Sequence, residues 1–303
     1  MATRCSAALP TRDGVGPSCV SLPAGRWSSL LEFLCERFAH IAPQVWAQRL
    51  AAGQVLDEQG HPLSGDAPYR AHSRVYYYRA LPAEPPVPFQ ETLLFQDEHL
   101  LVVDKPHFLP VTPGGRFVQQ SLLVRLKRRT GIDDLQPIHR LDRETAGLVL
   151  FCLQPQARDA YPRLFRQHQV HKEYRAVAPW RTELQAQLPL TRESRIEPGK
   201  PFMRMHEVPG PANARTSIDV IALRGTQALY RLVPHTGKKH QLRVHMAALG
   251  IPIRNDPVYP ELQAAVEPDF DRPMQLLART IAFTDPVTGQ AREFVSTLRL
   301  QWE

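Results

Sequence analysis

The stretch "PIHRLDRETAGLVLF", residues 137–151, places one carboxylate between two arginines and directly ahead of an apolar run. Asp142 is flanked by Arg140 and Arg143, and every residue from Leu148 to the end of the stretch is apolar. Such a run predicts a central strand that is covered on both faces. The acid then has two interpretations. Asp142 either caps a short turn, as aspartate commonly does, or it is a nucleophile that arginines hold ionised in front of a polyanionic substrate.

The bulk composition narrows the class of protein. The chain has 303 residues and a net charge of +7, which allows a large domain plus a small one and favours a polyanionic partner. Its four cysteines show no CxxC spacing, so we expect reduced thiols in a cytoplasmic protein and no zinc site or disulfide framework. No apolar run approaches the roughly 18 residues of a membrane span. The mixed first 25 residues do not resemble a secretory signal.

Changes in composition along the chain predict four segments. Residues 1–25 are expected to be a disordered tail, and residues 26–80 a small module of two short helices, the first capped by Ser28 or Ser29, followed by short strands. Residues 81–92 include "LPAEPPVPFQ", whose four prolines predict an extended linker. Residues 93–303 are expected to form one larger domain.

The larger segment is rich in predicted strands, has few predicted helices and lacks a repeating strand–helix rhythm. This pattern predicts a mixed α+β fold on a long, mostly antiparallel sheet. One amphipathic helix is predicted over "SLLVRLKRRTG", residues 121–131. Its basic residues Arg125, Arg128 and Arg129 are candidates for phosphate contacts, and a solvated helix face is the alternative.

Two further stretches contain candidate site residues. "LVPHTGKKHQLRVHMAALG", residues 232–250, predicts a strand, a glycine turn and a helix. Lys238 and Lys239 lie at the predicted helix start, where positive charge opposes the macrodipole unless an anion binds there. Mobile surface lysines are the alternative. In the predicted strand "HKEYRA", residues 171–176, Tyr174 is by frequency a core tyrosine with a satisfied hydroxyl.

Taken together, "HRLDRETAG", "KEYRA" and "TGKKHQLRVHMAALGIPIRNDPVY" resemble the RluA-type pseudouridine synthase family. The resemblance covers roughly residues 93–260. Residues 26–80 resemble, less closely, the small RNA-binding module first known from a small-subunit ribosomal protein. The resemblance implies an enzyme that isomerises selected uridines in RNA to pseudouridine without a metal or an organic cofactor.

The resemblance also implies roles for individual residues. Asp142 attacks the target uridine, either at C1′ of the sugar or at the uracil ring. Tyr174 stacks on the flipped base and assists proton transfer, and Arg243 pairs with Asp142 and keeps it ionised. Arg140 enters the RNA stack where the uridine had been. The other residues predicted to bind RNA are Arg143, Lys238, Lys239, His240, Arg125, Arg128 and Arg129.

The sequence departs from the family pattern at four places. Ala146 stands where the family usually has serine, and "GKKHQ" stands where it has "GRTHQ". Asn255 precedes Asp256 where glycine is usual, and the segment after Lys105 and Pro106 lacks an early glycine. These departures concern the RNA target and the loop contacts, because the acid, the tyrosine and the arginine are all present.

We therefore predict an RNA pseudouridine synthase, a cytoplasmic monomer that acts on large-subunit ribosomal RNA, with transfer RNA as the alternative substrate. One rival is a non-catalytic RNA-binding or ribosome-assembly factor on the same fold, but such a factor has no need of Asp142, Tyr174 and Arg243. The other rival is an aspartate-dependent hydrolase of a small phosphorylated substrate. That activity does not explain the presence of the N-terminal module and the basic helix.

Overall fold

The chain divides into two compact units, one that ends at Glu84 and one that begins at Pro85. The first eight residues of the predicted tail lie outside the described residues. Within the described residues, no helix has the length and apolar character needed to cross a membrane. The computed structural model describes residues 9–78, 84–201, 203–263 and 267–302.

The small unit contains a three-stranded antiparallel sheet, in the order β1-β3-β2, and two helices. Strand β1 corrects the prediction of a disordered tail over residues 1–25, because Cys19 pairs with Tyr76 of β3 and Leu22 is buried. The elements are β1 (Ser18–Ser21), α1 (Leu30–Arg37), α2 (Pro43–Ala51), β2 (Val55–Leu56) and β3 (Arg74–Tyr77).

The two predicted helices of the small unit are confirmed. Ser29 is the N-cap of α1, and its side chain accepts a hydrogen bond from the backbone N–H of Glu32 at 3.2 Å. The Glu32 carboxylate accepts a hydrogen bond from the backbone N–H of Ser28 at 2.8 Å. The two side chains therefore satisfy two backbone donors at the start of the helix. Phe33 and Leu34 of α1 and Trp46 of α2 are buried in one core.

The large unit is built on an eleven-stranded sheet with the main order β10-β9-β11-β12-β8-β13-β7-β5-β4. Among the described strands of this sheet, every pairing is antiparallel except that of β13 with β7, so the predicted mixed and mostly antiparallel fold is confirmed. The strands are β4 (Thr92–Gln96), β5 (Leu100–Lys105), β6 (Gln136–Pro137), β7 (Ala146–Cys152), β8 (His171–Pro179), β9 (Leu190–Pro198), β10 (Met205–Val208), β11 (Ala214–Arg224), β12 (Gln227–Pro234), β13 (Leu276–Thr284) and β14 (Ala291–Val295). The helices are α3 (Leu122–Thr130), α4 (Ala160–Arg166) and α5 (Gln241–Ala248).

The centre of this sheet brings three separate parts of the sequence together. Ala278 of β13 pairs with Gly147 of β7 on one side and with Tyr174 of β8 on the other. Strand β12 pairs with the far edge of β8 and leads through a short turn into α5. The loop before β7, strand β8 and the start of α5 therefore lie close together beside the centre of the sheet.

The proline-rich segment is not a free linker along its whole length. Val87 is buried and Phe89 packs against the same core of the large unit. Arg125 of α3 donates hydrogen bonds to the carbonyl oxygens of both residues, at 2.8 and 2.7 Å. Arg129 lies 3.5 Å from the buried carboxylate of Glu91. Both side chains therefore hold residues 87–91 on the large unit, and their contact with RNA stays a prediction.

We predict that Gly147→Ala destabilises the large unit strongly. Gly147 has φ +111°, and a Cβ there would lie 2.3 Å from the carbonyl oxygen of Ala278. Gly225→Ala is the control, since Gly225 has φ +58° and open space around it. The left-handed backbone alone costs about 1–2 kcal/mol, and the added steric clash should bring the loss at Gly147 above about 3 kcal/mol. Urea unfolding of both variants measures the difference, and equal losses would contradict this account of the β7–β13 contact.

Candidate active site

A cleft of about 950 Å³ opens where the loop before β7, strand β8 and the start of α5 meet. The helix α3 does not contribute to its lining, so Arg128 lies outside the cleft, and its contact with RNA stays a prediction. The predicted residues that do line the cleft are Arg140, Asp142, Arg143, Tyr174, Lys238, Lys239, His240 and Arg243.

Asp142 and Arg243 form an ion pair in this cleft, as the sequence predicts. Nη1 of Arg243 donates a hydrogen bond to Oδ2 of Asp142 at 2.9 Å. The Arg243 side chain is only 2% exposed, whereas that of Asp142 is 26% exposed. Within the described residues, Oδ1 of Asp142 accepts no hydrogen bond, so one oxygen of the carboxylate is available to a substrate. A turn-capping role alone does not explain a buried arginine aimed at this acid.

Asp256 holds the other side of Arg243 and was missed by the sequence analysis. Nε and Nη2 of Arg243 donate to the two carboxylate oxygens of Asp256 at 2.8 and 2.7 Å. Asp256 is fully buried and also accepts hydrogen bonds from the backbone N–H groups of Val258 and Tyr259. A buried arginine has five N–H donors to satisfy. That requirement was the available signal for a second acid near Arg243.

The two acids determine the charge state of Arg243. Burial on its own would lower the pKa of the guanidinium, but the hydrogen bonds and negative charge of Asp256, and then those of Asp142, raise it above its usual value. Arg243 is therefore a permanent cation in a fixed orientation. Because Asp256 occupies the Nε–Nη2 edge, the Nη1 group remains directed at Asp142.

His240 belongs to the buried surroundings of Asp142. Its Nε2 lies 3.8 Å from Oδ2 of Asp142, and its Nδ1 shares a hydrogen bond with the Tyr259 hydroxyl at 3.0 Å. Burial lowers the pKa of His240 by more than the charge of Asp142 raises it. The imidazole is therefore neutral at neutral pH. Its side chain is only 8% exposed but lines the cleft, and its contact with RNA stays a prediction.

Tyr174 lies on β8 with its ring packed against a core cluster of the large unit. Within the described residues its hydroxyl has no hydrogen-bond partner, which argues against an ordinary core tyrosine. Burial, and secondarily the negative charge of Asp142, raise the pKa of Tyr174 well above its usual range. The residue is therefore a neutral phenol beside the acid.

The remaining predicted residues form the basic rim of the cleft. Arg140 is exposed, as are Lys238 and Lys239 in the turn before α5. The helix begins at Gln241, so the two lysines precede its first turn and do not form part of it. Arg143 is more constrained, because its Nε donates to the Glu144 carboxylate at 2.7 Å.

Two residues that the sequence analysis did not select fix the loop that carries Asp142. Lys105 is fully buried, and its Nζ donates to the carbonyl oxygens of Pro106, Leu109 and Arg143 at 2.9, 2.8 and 3.2 Å. Burial lowers the pKa of Lys105 to about 7 against the charges of Glu144 and then Asp142. On the other side, Nε2 of His139 accepts a hydrogen bond from the backbone N–H of Leu150 at 3.2 Å. Burial lowers the pKa of His139 to about 3, so this ring is neutral.

Two departures from the family pattern fall on left-handed backbone. Asn255, which stands in place of a glycine, has φ +61°, a conformation that asparagine tolerates better than most residues. Phe108, in the segment without the early glycine, has φ +65°. Its ring packs against Phe89 and Phe270 with centroids 6.0 and 5.1 Å away, and this aromatic packing offsets the backbone cost.

Comparison with known proteins places the fold and the motifs in one family. A family described as RNA pseudouridylate synthase matches residues 99–248. An uncharacterized RNA pseudouridine synthase of Synechocystis is 32% identical, over 76% of this chain and 79% of that protein. The dual-specificity RNA pseudouridine synthase RluA of Haemophilus influenzae is 34% identical, over 69% of this chain and 94% of that protein.

The structural comparison agrees at the level of the fold. The structure of human RNA Pseudouridylate Synthase Domain Containing 1 is similar with a TM-score of 0.56 and 23% sequence identity. The match covers 70% of this chain and 85% of the human one. Together with the sequence relatives, these findings show that the chain belongs to the RNA pseudouridylate synthase family and is an RNA pseudouridine synthase of the RluA type.

Proposed function

We propose that Asp142 is the nucleophile of the isomerisation, with Arg243 holding its charge and Tyr174 stacking on the uracil. The observation that carries this proposal is that Arg243 binds one of the two oxygens of the Asp142 carboxylate. Arg243 engages Oδ2 from a buried position, and Oδ1 is left for a reacting atom in the cleft. An ionised carboxylate that is oriented by a fixed cation is a suitable covalent catalyst.

The reaction breaks the N1–C1′ bond of uridine, turns the base and forms a C5–C1′ bond. One proton leaves C5 and one is added at N1, so the product is an isomer of the substrate. Asp142 attacks either C1′ or the uracil ring, and both alternatives use the same carboxylate. The raised pKa of Tyr174 favours a stacking role for a neutral phenol over a role as a free phenolate base.

The target uridine must leave the RNA stack to reach Asp142, which costs a few kcal/mol. We propose that the rim residues Arg140, Lys238 and Lys239 hold the strand while the base is turned out. Their exposed positive charges suit a backbone that carries one phosphate per nucleotide. Arg140, which lies in the same loop as Asp142, is proposed to enter the gap that the uridine leaves.

We propose large-subunit ribosomal RNA as the substrate and the cytoplasm as the place of action. The likeness of residues 26–80 to a ribosomal-protein module supports ribosomal RNA. Transfer RNA is the second candidate, because a relative that is 33% identical over 58% of this chain is the mitochondrial tRNA pseudouridine(32) synthase of Saccharomyces cerevisiae. This chain covers 38% of that protein.

The small unit is proposed to contact RNA mainly by shape and stacking. Residues 1–84 carry eight arginines and no lysine against seven acids, so the unit adds little net positive charge. The Arg49 guanidinium lies 5.0 Å from the Trp46 ring, an arrangement that offers a flat cationic surface. The large unit therefore supplies most of the electrostatic attraction to RNA.

Removal of residues 1–84 tests whether the small unit contacts RNA without supplying most of the electrostatic attraction. The cut leaves residues 85–91 on the core that they cover, so the large unit should stay folded and active at saturating RNA. We expect weaker RNA binding. The slope of the logarithm of the binding constant against the logarithm of the salt concentration should change by less than the amount expected for about one phosphate contact. Fluorescence anisotropy at several salt concentrations measures both quantities. Unchanged affinity would show that the small unit does not contact the RNA.

Asp142→Asn is expected to abolish pseudouridine formation while RNA affinity changes by less than about tenfold, or about 1.4 kcal/mol. Asparagine is nearly isosteric with aspartate but is not a comparable nucleophile. Single-turnover assays measure the chemical step, and anisotropy measures the affinity. Turnover by a sequence-verified Asp142→Asn preparation would refute the proposed nucleophile.

The same substitution identifies the substrate in cells. Pseudouridine mapping of total RNA from a strain that lacks the gene should reveal one or a few missing sites in large-subunit ribosomal RNA. The wild-type gene should restore them, and the gene encoding Asp142→Asn should not. Missing sites in transfer RNA alone would select the second substrate. If no site were missing, the non-catalytic RNA-binding factor would be the better account.

A further inference from the structure

Lys172 is a cation in the cleft that the reaction described above does not use. It lies on β8 two residues before Tyr174, so both side chains point to the same face of the strand and both line the cleft. Its Nζ donates one long hydrogen bond, to the carbonyl oxygen of Thr236 at 3.5 Å. Within the described residues, no carboxylate lies within ion-pair distance of this ammonium.

Several other buried or half-buried cations of the large unit have two or more partners. Arg243 is held by two aspartates, and Arg292 lies 3.0 Å from Asp97 and 3.7 Å from Asp285. Lys105 donates to three carbonyl oxygens. Within the described residues Lys172 has one long hydrogen bond and no carboxylate partner, so little offsets the desolvation cost of its partial burial. Burial lowers the pKa of Lys172 accordingly. The arrangement is the one expected of a cation whose partner arrives with the ligand.

We propose that Lys172 binds a phosphate of the target nucleotide itself, next to the base that stacks on Tyr174. This inference rests on the proposed function, because it assumes that the uridine enters this cleft. The RNA phosphate is the anion that such a substrate brings, and lysine binds phosphate as a compact point charge. Lys172 lies on the same strand as Tyr174, whereas Lys238 and Lys239 lie on the exposed rim. The phosphate bound by Lys172 is therefore the one nearest to the reacting sugar.

A purely structural role makes a different prediction. The hydrogen bond to Thr236 links β8 to the turn that precedes α5. If that link were the whole purpose of Lys172, its removal would lower the thermal midpoint and would not alter the recognition of phosphate. Phosphate recognition therefore distinguishes the two roles.

The test uses small ligands that carry or lack the phosphate. A fluorescent decauridylate is bound to the full-length protein and displaced by uridine, by uridine 5′-monophosphate or by uridine 3′-monophosphate. For the wild type, at least one monophosphate should compete roughly tenfold better than uridine, as a charge-assisted hydrogen bond implies. For Lys172→Met the advantage should fall below about twofold. Lys172→Arg, which keeps the charge, should retain most of it.

Lys127→Met is the matched control. Lys127 is also a half-buried lysine of the large unit, but it lies on α3, outside the cleft and close to Asp133 and Asp134. The control should keep the full monophosphate advantage. The salt dependence of decauridylate binding supplies a second readout. Its logarithmic slope should fall by about 0.7 for Lys172→Met, the value for one phosphate on a single strand, and stay unchanged for Lys127→Met.

The proposal is overturned if neither monophosphate outcompetes uridine in the wild type. It is also overturned if the advantage survives in Lys172→Met, or if the slope for that variant equals the wild-type slope. These are binding measurements, so they are independent of the turnover test on Asp142→Asn. A wild-type enzyme that is active on RNA but shows any of these three outcomes would retain its proposed nucleophile and lose only the phosphate contact at Lys172.

Discussion

The active site depends on one buried guanidinium that two aspartates share. Asp256 binds the Nε–Nη2 edge of Arg243, which leaves the Nη1 group to hold Asp142 at 2.9 Å. Asp256 is in turn fixed by backbone N–H groups of Val258 and Tyr259. Removing Arg243 would leave the fully buried Asp256 carboxylate without its cation, which is among the most costly defects that a protein interior can contain. The Asp142 carboxylate is therefore positioned by the folded interior.

The sheet explains how this contact forms between residues so distant in sequence. The order β12-β8-β13-β7 sets Tyr174 beside the loop that carries Asp142 and brings the turn into α5 next to both. Gly147 permits the close pairing of β7 with β13. Lys105 and His139 then fix the Asp142 loop from two sides. The exposed basic residues Arg140, Lys238 and Lys239 lie at the rim of the cleft.

The sequence predicted the fold class. It also assigned Asp142, Tyr174 and Arg243 to one site, because these residues lie in ordered motifs. Asp256 and Lys172 were not selected, since each owes its importance to three-dimensional surroundings that spacing does not reveal. The arginines of α3 were assigned to RNA for the same reason, although Arg125 and Arg129 hold the proline-rich segment. Strands β1, β9 and β10 were missed because they are short or carry alternating charges, so their sequences lack a clear apolar pattern.

The single-turnover rate of Arg243→Met, compared with that of Arg292→Met at saturating enzyme, tests the central claim most directly. Both variants remove a largely buried, ion-paired arginine from the large unit, but Arg292 pairs with Asp97 and Asp285, outside the cleft. Loss of one member of a buried pair costs about 3 kcal/mol or more. If that loss destabilises the reactive state of Asp142, Arg243→Met should react more than about a hundredfold slower than the wild type. Folded Arg292→Met should react within a few-fold of the wild-type rate. Equal rates for the two variants would show that Arg243 does not sustain the catalytic carboxylate.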